Sequence, residues 1–401
     1  MRAQHRLPIV ILGFLQTLST LTIDVYLPAF PQIAAEFHAT PSAVQLTFTA
    51  AMAGMVTGQL LVGPWSDGAG RRLPLVIVTL VHVGASLACA VAPSIEALAG
   101  ARFAQGFASA SIGVVALAVV RDLFAGPRMV RMLASMALIS GMAIALGPLL
   151  GSQLLHLMDW RGVFLTLAAY GLVLGTITFL LIGETLPAHQ RHRGGLTERL
   201  RGFGKPATDR PFVGLILVTG FAWGGMYAYL SSSSFVFQTL YGMTTTQYGL
   251  VFASHALLML LGTQLGGRLT HRLRLPVIVV IATAGLLLST VAILANALRG
   301  EPQLLTFLAP LWCFTFFLGL NTPCVQSLAL SRHGSAAGSA AGMLNATRQG
   351  LGALTSPVSG LLGLAGLLPL AVIMTVAQAL GFVTLWTVVR PLRLGRDEPP
   401  R

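Results

Sequence analysis

The stretch RRLPLVIVTLVHVGASLACAVAP, Arg71 to Pro93, decides the fold: after two arginines the chain carries no charged residue until Glu96. A helix needs about 20 mostly apolar residues to cross bilayer hydrocarbon, and this run supplies them. The whole 401-residue chain is 55% hydrophobic and 9% charged, against roughly 25% charge in an ordinary soluble protein. So little charge cannot clothe a globule of this size in water, and the composition implies a polytopic membrane protein. A net charge of +13 does not imply nucleic-acid binding, which needs basic residues clustered on one face; here they are spread over short loops.

Irregular backbone is not tolerated against lipid, so the chain can be cut wherever charges and turn formers interrupt apolar runs. Twelve helical spans result, near residues 7–30, 42–65, 73–93, 95–120, 130–155, 162–183, 211–236, 247–267, 275–297, 303–330, 337–362 and 367–389. With a cytoplasmic N-terminus, 21 Lys and Arg fall in cytoplasmic segments and only Arg161 and Arg299 outside, the bias expected of correct threading. Both termini are therefore expected in the cytoplasm. The N-terminal basic flank (Arg2, His5, Arg6) resembles a signal peptide, but without an A-x-A site and with Asp24 near its far end it reads as an uncleaved first span.

The longest connection, residues 184–210, is a basic cytoplasmic linker between a six-helix bundle at 1–183 and a second at 211–401 with a short tail. An internal repeat supports the division. Gly141 to Gly151 in span five and Gly350 to Gly360 in span eleven share a register of small residues and proline, 209 residues apart. Gly63 to Val78 is echoed more weakly by Gly266 to Val280. Two pseudo-symmetric halves place a substrate site near mid-depth.

Charged side chains in hydrocarbon cost a few kcal/mol each and are functional candidates by default. Of the twelve acids only Asp24 lies within a span, where low dielectric disfavours a carboxyl's ionised form; the plainer reading is a helix-end Asp wetted from outside near Pro28 and Pro31. Arg102, with Gln105 and Gly106 in span four, needs carbonyl, carboxylate or water partners, and both a structural clamp and a proton-relay element fit it. Arg348 is a second intramembrane charge or snorkels inward. In the loop Gly63 to Arg72, two arginines suit topology alone, whereas Asp67 suits a latch against a helix end or an arginine such as Arg121. Gly141, Gly147, Pro148 and Gly151 suit a tightly packed or bending helix. Trp223, Met226, Tyr227, Tyr229, Phe235 and Met259 line an apolar cavity or serve as packing. Cys89, Cys313 and Cys324 lie in apolar stretches without metal or disulfide spacing.

Together these residues resemble the major facilitator superfamily, specifically its twelve-span drug:proton antiporters. Asp67, Gly70, Arg71 and Arg72 look like its cytoplasmic signature loop, Arg102, Gln105 and Gly106 like its span-four motif, and Gly141 to Gly151 like its span-five antiporter motif. Thr22 to Pro28 with Val120 to Asp122 is similar to the bicyclomycin/chloramphenicol resistance (Bcr/CflA) branch. The resemblance implies that Asp24 exchanges protons, Arg102 supports the exchange, Asp67 and Arg71 control a cytoplasmic gate, and Gly147 and Pro148 shape span five. Two departures stand out: Gln16 is neutral where some relatives carry a second acid, and the second half lacks an Asp in its signature loop.

The expected function is proton-coupled export of a drug-like amphipathic molecule across a bacterial inner membrane by a monomer, with Tyr26, Gln16, Tyr227, Phe235, Asn321 and Arg348 as cavity candidates. The alternative is a proton-coupled importer of a small nutrient with the same fold. A membrane enzyme is disfavoured because His82, His156 and His255 lack an evident carboxylate or Ser/Cys partner. The chain has no G-x-x-x-x-G-K-[ST] loop, so protonmotive force rather than ATP is expected to drive it, without cofactor or metal.

Overall fold

The structure, a computed structural model, describes residues 6–124, 126–191, 207–300, 303–331, 337–361 and 367–391. Most of the linker (192–206) and the tail from 392 lie outside the described residues, as do the basic residues expected there. The regular elements described are all helical. They are α1 Arg6–Asp24, α2 Phe30–Glu36, α3 Pro41–Ala69, α4 Arg72–Ala90, α5 Ile95–Leu123, α6 Gly126–Leu157 and α7 Trp160–Leu181. After the linker come α8 Arg210–Ser234, α9 Thr245–Leu269, α10 Leu275–Leu298, α11 Leu304–Ser331, α12 Ala337–Leu361 and α13 Leu367–Thr384.

Local chemistry sets several boundaries. Thr40, Ser94 and Asp159 each accept a hydrogen bond from a backbone N–H three residues on, capping α3, α5 and α7 in the way short polar side chains satisfy orphan donors. The first span is the exception to the sequence reading. Instead of one helix through residue 30, α1 stops at Asp24, the chain turns through a 3-10 segment at Leu27–Ala29, and α2 restarts at Phe30. Pro28 and Pro31 lack the N–H that a continuous helix would use there.

Among the described residues ten helical segments are long and apolar enough to cross a membrane, the first running from Ile11 to Glu36 through that break. Two pieces of α6, Arg131–Ala143 and Leu146–Leu157, meet at 42° and make an eleventh if counted as one span; Pro148, which interrupts the backbone ladder, lies just beyond that bend. The remaining expected span coincides with α12. The helices carry large apolar side chains on their outer faces and bury polar ones among the apolar core. On α4, Leu73, Ile77, Leu80, Leu87 and Val91 are exposed while Thr79, His82, Ser86 and Cys89 are buried. Water would reverse that arrangement, whereas lipid accommodates it.

By compactness the chain divides into Met1–Glu198 with Met243–Leu250, and Arg199–Gly242 with Val251–Arg401. Inside the first unit, α3 and α5 touch through their backbones: a Cβ on Gly54 would lie 2.0 Å from the Phe103 carbonyl oxygen, one on Gly58 2.2 Å from that of Phe107, and one on Gly106 2.1 Å from that of Ala51. Inside the second, α9 and α11 do the same, Gly262 against the Phe316 carbonyl and Gly319 against that of Met259, each at 2.0 Å. The repeat thus extends to spans two and four with eight and ten. Such small-residue contacts are how helices associate in lipid, where burial from water gives no drive.

Contact order also fixes direction. Gly54 meets Phe103 and Phe107 while Gly58 meets Phe107 and Ser111, so α3 and α5 run parallel. Arg72, Thr79 and His82 of α4 meet Phe179, Gly175 and Gly171 of α7, so those two run antiparallel. Alternate threading of successive spans requires both relations.

Gly54→Ala and Gly262→Ala should each destabilise the protein by about 1–3 kcal/mol, because a backbone oxygen and not a side chain would have to yield. Gly84→Ala, where a Cβ meets nothing within 4 Å, should not. Melting curves in detergent, followed by size-exclusion elution, compare the three.

Candidate functional site

The first unit is built around Arg102. Its side chain is fully buried, stacks on Tyr26 with the guanidinium carbon 3.9 Å from the ring centroid, and lies 5.7 Å from the Phe164 centroid. It donates to the carbonyl of Thr22 at 2.8 Å and to Gln105 Oε1, while Nε and Nη2 have no partner. The network continues through α4. Gln105 Nε2 donates to Ser86 Oγ at 2.8 Å, Ser86 donates to the His82 carbonyl at 2.7 Å, and His82 Nε2 shares a hydrogen bond with Thr22 Oγ1 at 3.0 Å. The ring of groups closes on itself, tying α1, α4 and α5 at one level. A desolvated cation over an aromatic face contributes on the order of 2 kcal/mol, which helps to offset the cost of the buried charge.

Asp24 ends α1 two residues beyond Thr22. It stands at the helix end, as the plainer reading has it, and is buried to 8% exposure. Among the described residues it makes no hydrogen bond or ion pair, with Arg102 or any other group. Behind it stands α6: a Cβ on Gly147 would lie 2.8 Å from Asp24 Cβ, and one on Gly151 1.9 Å from the Val25 carbonyl oxygen. The span-five glycines Gly147 and Gly151 are therefore the wall against which the carboxyl rests, Pro148 is buried between them, and Gly141, six residues before Gly147, meets nothing within 4 Å. A carboxylate at a helix C-terminus faces the negative end of the dipole, so stability alone would not put an acid here.

A second cluster joins the far ends of α3, α5 and α7. Arg71 donates to Asp67 at 2.6 Å and Asp122 at 2.8 Å and to Ser66 Oγ at 2.9 Å. The arginine that Asp67 meets is thus Arg71 of its own loop, where Arg121 was the example expected, and α5 contributes a second acid, Asp122. Glu184, just after α7, accepts from the backbone N–H of Arg71 at 2.8 Å and of Arg72 at 3.4 Å. Gly70 makes this approach feasible: its φ is +94°, and a Cβ would fall 2.3 Å from Glu184 Oε2. Burial opposes ionisation at Glu184, but the N–H groups of Arg71, Leu186 and Arg72, with the Arg191 charge, outweigh it and hold the carboxyl below the usual glutamate range. The Arg72 side chain does not join the cluster; it stacks on Phe179 and donates to that residue's carbonyl. At the opposite ends of these helices Glu36 accepts from Trp160 and from Arg161, which also donates to the Ala90 and Ala92 carbonyls.

In the second unit Arg348 of α12 lies over Trp223 of α8 at 4.6 Å, and Tyr227, one turn on, packs against Gly352. Phe235 begins a π-helical turn, Phe235–Leu240, that extends α8. Two cavity candidates are enclosed by helices: Tyr26 beneath Arg102, and Asn321, which is buried and donates to Thr283 at 3.1 Å. Gln16 is part-buried, and its Oε1 has no partner.

The sequence profile of the Major Facilitator Superfamily matches residues 12–357. The chain belongs to that superfamily. It is 32% identical over 96% of both chains to the MFS-type transporter YdgK of Bacillus subtilis, and 28% identical to a bicyclomycin resistance protein homolog of Haemophilus influenzae, covering 86% of this chain and 87% of that one. The multidrug resistance protein MdtL of Vibrio parahaemolyticus is 24% identical over 92% of each. Among solved structures, a bacterial homolog of the human lysosomal transporter Spinster aligns with a TM-score of 0.74 at 16% identity over 98% of this chain and 99% of that one, and a D-xylose-proton symporter with 0.74 at 14% over 96% and 97%. These last two share the fold. Superfamily members of this kind are transporters and not enzymes, and the chain is a multi-pass membrane protein.

Sequence reasoning found the superfamily motifs, with Thr22 and Asp122 among the residues of the branch resemblance, but gave no role to His82, Ser86 and Glu184. The signal for two of them was present: Thr79, His82, Ser86 and Cys89 repeat at helical spacing on an otherwise apolar span, an inward polar stripe. Glu184 gave none, since its hydrogen-bond partners are backbone groups.

Arg102→Lys should reduce transport at least tenfold with the protein still folded, because an ammonium cannot stack as a plane while bonding Thr22 and Gln105 together; transport assays normalised to monodisperse protein check this. The Glu184 contact adds stability that is complete above the ordinary glutamate value of 4.5 and is lost as pH falls through the lower folded-state value. Glu184→Gln should therefore melt below the wild type at neutral pH, with the gap closing on acidification below that range.

Proposed function

We propose that the protein is a proton-coupled exporter of drug-like, amphipathic small molecules in a bacterial inner membrane, acting as a monomer with both termini cytoplasmic and driven by protonmotive force without ATP or cofactor. The observation that carries this reading is Asp24: a carboxyl without a partner among the described residues, buried at a break in α1, with two glycines of α6 set against it and its neighbour. The resistance names of two relatives support the substrate class. The span-five glycines, which the resemblance associates with antiport, support the direction.

In this mechanism Asp24 takes a proton from the outer side, and substrate and proton occupy the protein in alternation as it opens to one side and then the other. The break at residues 25–29 lets the end of α1 shift without unwinding the rest of the span. Arg102 acts as a positioning group: it grips the carbonyl of Thr22 and thereby sets where α1 ends. The Arg71, Asp67, Asp122 and Glu184 cluster holds the ends of four helices together in one state and must loosen in another.

Asp24→Asn keeps the side-chain volume and a carbonyl acceptor but removes the titration. In proteoliposomes with an imposed pH gradient, bicyclomycin should elicit proton movement through the wild type and none through Asp24→Asn, while the variant remains folded and binds bicyclomycin in detergent. Proton movement by Asp24→Asn at the wild-type rate overturns the coupling assignment. Accumulation of substrate by energised cells, in place of its exclusion, overturns export.

A further inference from the structure

The charge chemistry of the second unit is distinct from that of the first. Arg348 is the twelfth residue of α12 and Trp223 the fourteenth of α8, so each sits near the middle of its helix. At 1.5 Å per residue Arg348 lies roughly 16 Å from the start of α12, too far for its side chain to snorkel out. The two helices run parallel in register: Arg348 pairs with Trp223 and Gly352 with Tyr227, both pairs 125 residues apart. Gly352 is what lets Tyr227 lie flat on α12, since a Cβ there would fall 2.0 Å from the Tyr227 ring. Trp223 and Tyr227 thus form adjoining faces, with ring centroids 5.7 Å apart, and Trp223 is fixed from behind by its N–H donating to Thr322 at 3.3 Å.

The guanidinium resting on this surface is under-used. Its Nε is buried without a hydrogen-bond partner, and among the described residues no carboxylate lies within ion-pairing distance. Arginine offers five N–H donors in a planar fork and no acceptor. A buried donor left unsatisfied costs free energy, so a ligand bringing an acceptor recovers what the protein leaves unpaired. A lipophilic cation brings none and meets a like charge.

We propose that Arg348, laid across Trp223 and beside Tyr227, is a substrate-binding cation that takes the anionic or acceptor end of an aromatic amphipathic molecule, such as a carboxylate, phenolate, nitro or carbonyl group, and selects against lipophilic cations. The inference rests on the transport reading above, whose substrate it narrows by charge. The ring stays stacked under the guanidinium when the ligand arrives, and the ligand's acceptor bonds in the guanidinium plane at the terminal amino groups, which unlike Nε are not closed off.

Binding to purified full-length protein in detergent tests it, with fluorescein as the anionic aromatic probe and tetraphenylphosphonium as the cationic one. The wild type should bind fluorescein at least tenfold more tightly than tetraphenylphosphonium. Arg348→Gln should weaken fluorescein binding tenfold or more and abolish the preference. Arg348→Lys should weaken it less and keep the preference, because the charge stays while the fork is lost. A wild type that prefers the cation overturns the proposal whatever the variants do, and so does a monodisperse Arg348→Gln with wild-type affinity for both probes. Should Arg348→Gln not fold, an Arg348→Lys that binds fluorescein as the wild type does overturns the claim for the fork. Loss of export with the binding preference intact sinks the proposed function alone. Proton-coupled export with no dependence of the preference on Arg348 sinks this inference alone.

Discussion

A guanidinium that never loses its charge, sealed where water cannot follow, is the constraint from which the first unit is organised. Arg102 cannot be neutralised to relieve its burial, so the surroundings must be shaped to it: a carbonyl from α1, an amide from its own helix and an aromatic ring beneath. Each of those demands fixes something else. Taking the Thr22 carbonyl places the end of α1, and placing the end of α1 presents Asp24 and Val25 to the glycines of α6. The Gln105 amide, oriented by Arg102, in turn orders Ser86 and the His82 backbone. Carboxyl and guanidinium do not touch, yet the position of one follows from the partners of the other.

The two units repeat an architecture and diverge in chemistry. Both bring a pair of helices to backbone contact through glycines at equivalent places. Where the first unit then sets an acid against glycines on the facing helix, the second sets an aromatic against a glycine and an arginine against an aromatic. The repeat is thus conserved in volumes, while its polar groups are free to specialise. That division is expected where packing alone holds helices together: small residues carry the association, and the few charged positions carry function.

Much of this was legible in the chain and some was not. The spans are set by solvent, and apolar runs such as Leu73 to Ala92 leave no other fate. Arg102 and Asp24 stood out because they break a strong compositional rule. The end of α1 at Asp24 was half legible: the apolar run carried the span to residue 30, while Pro28 and Pro31 offered Asp24 as a helix-end residue without saying where the last turn would close. The pairing of Asp67 with Arg71, four residues on, depends on how the chain turns at Gly70, which loop reading cannot resolve. Glu184 was silent because it binds main-chain N–H groups, common to all sequences.

The backbone contacts at Gly54, Gly58, Gly106, Gly262 and Gly319 bear on how such a chain diversifies with time. A leucine that faces hydrocarbon, as Leu80 or Leu87 does, can become isoleucine, valine or phenylalanine with nothing nearby to object. A glycine pressed on a carbonyl has no synonym. Drift will therefore rewrite the outer face of each helix while leaving its contact stripe nearly untouched. Kinship between distant descendants will then be kept in a handful of the smallest residues.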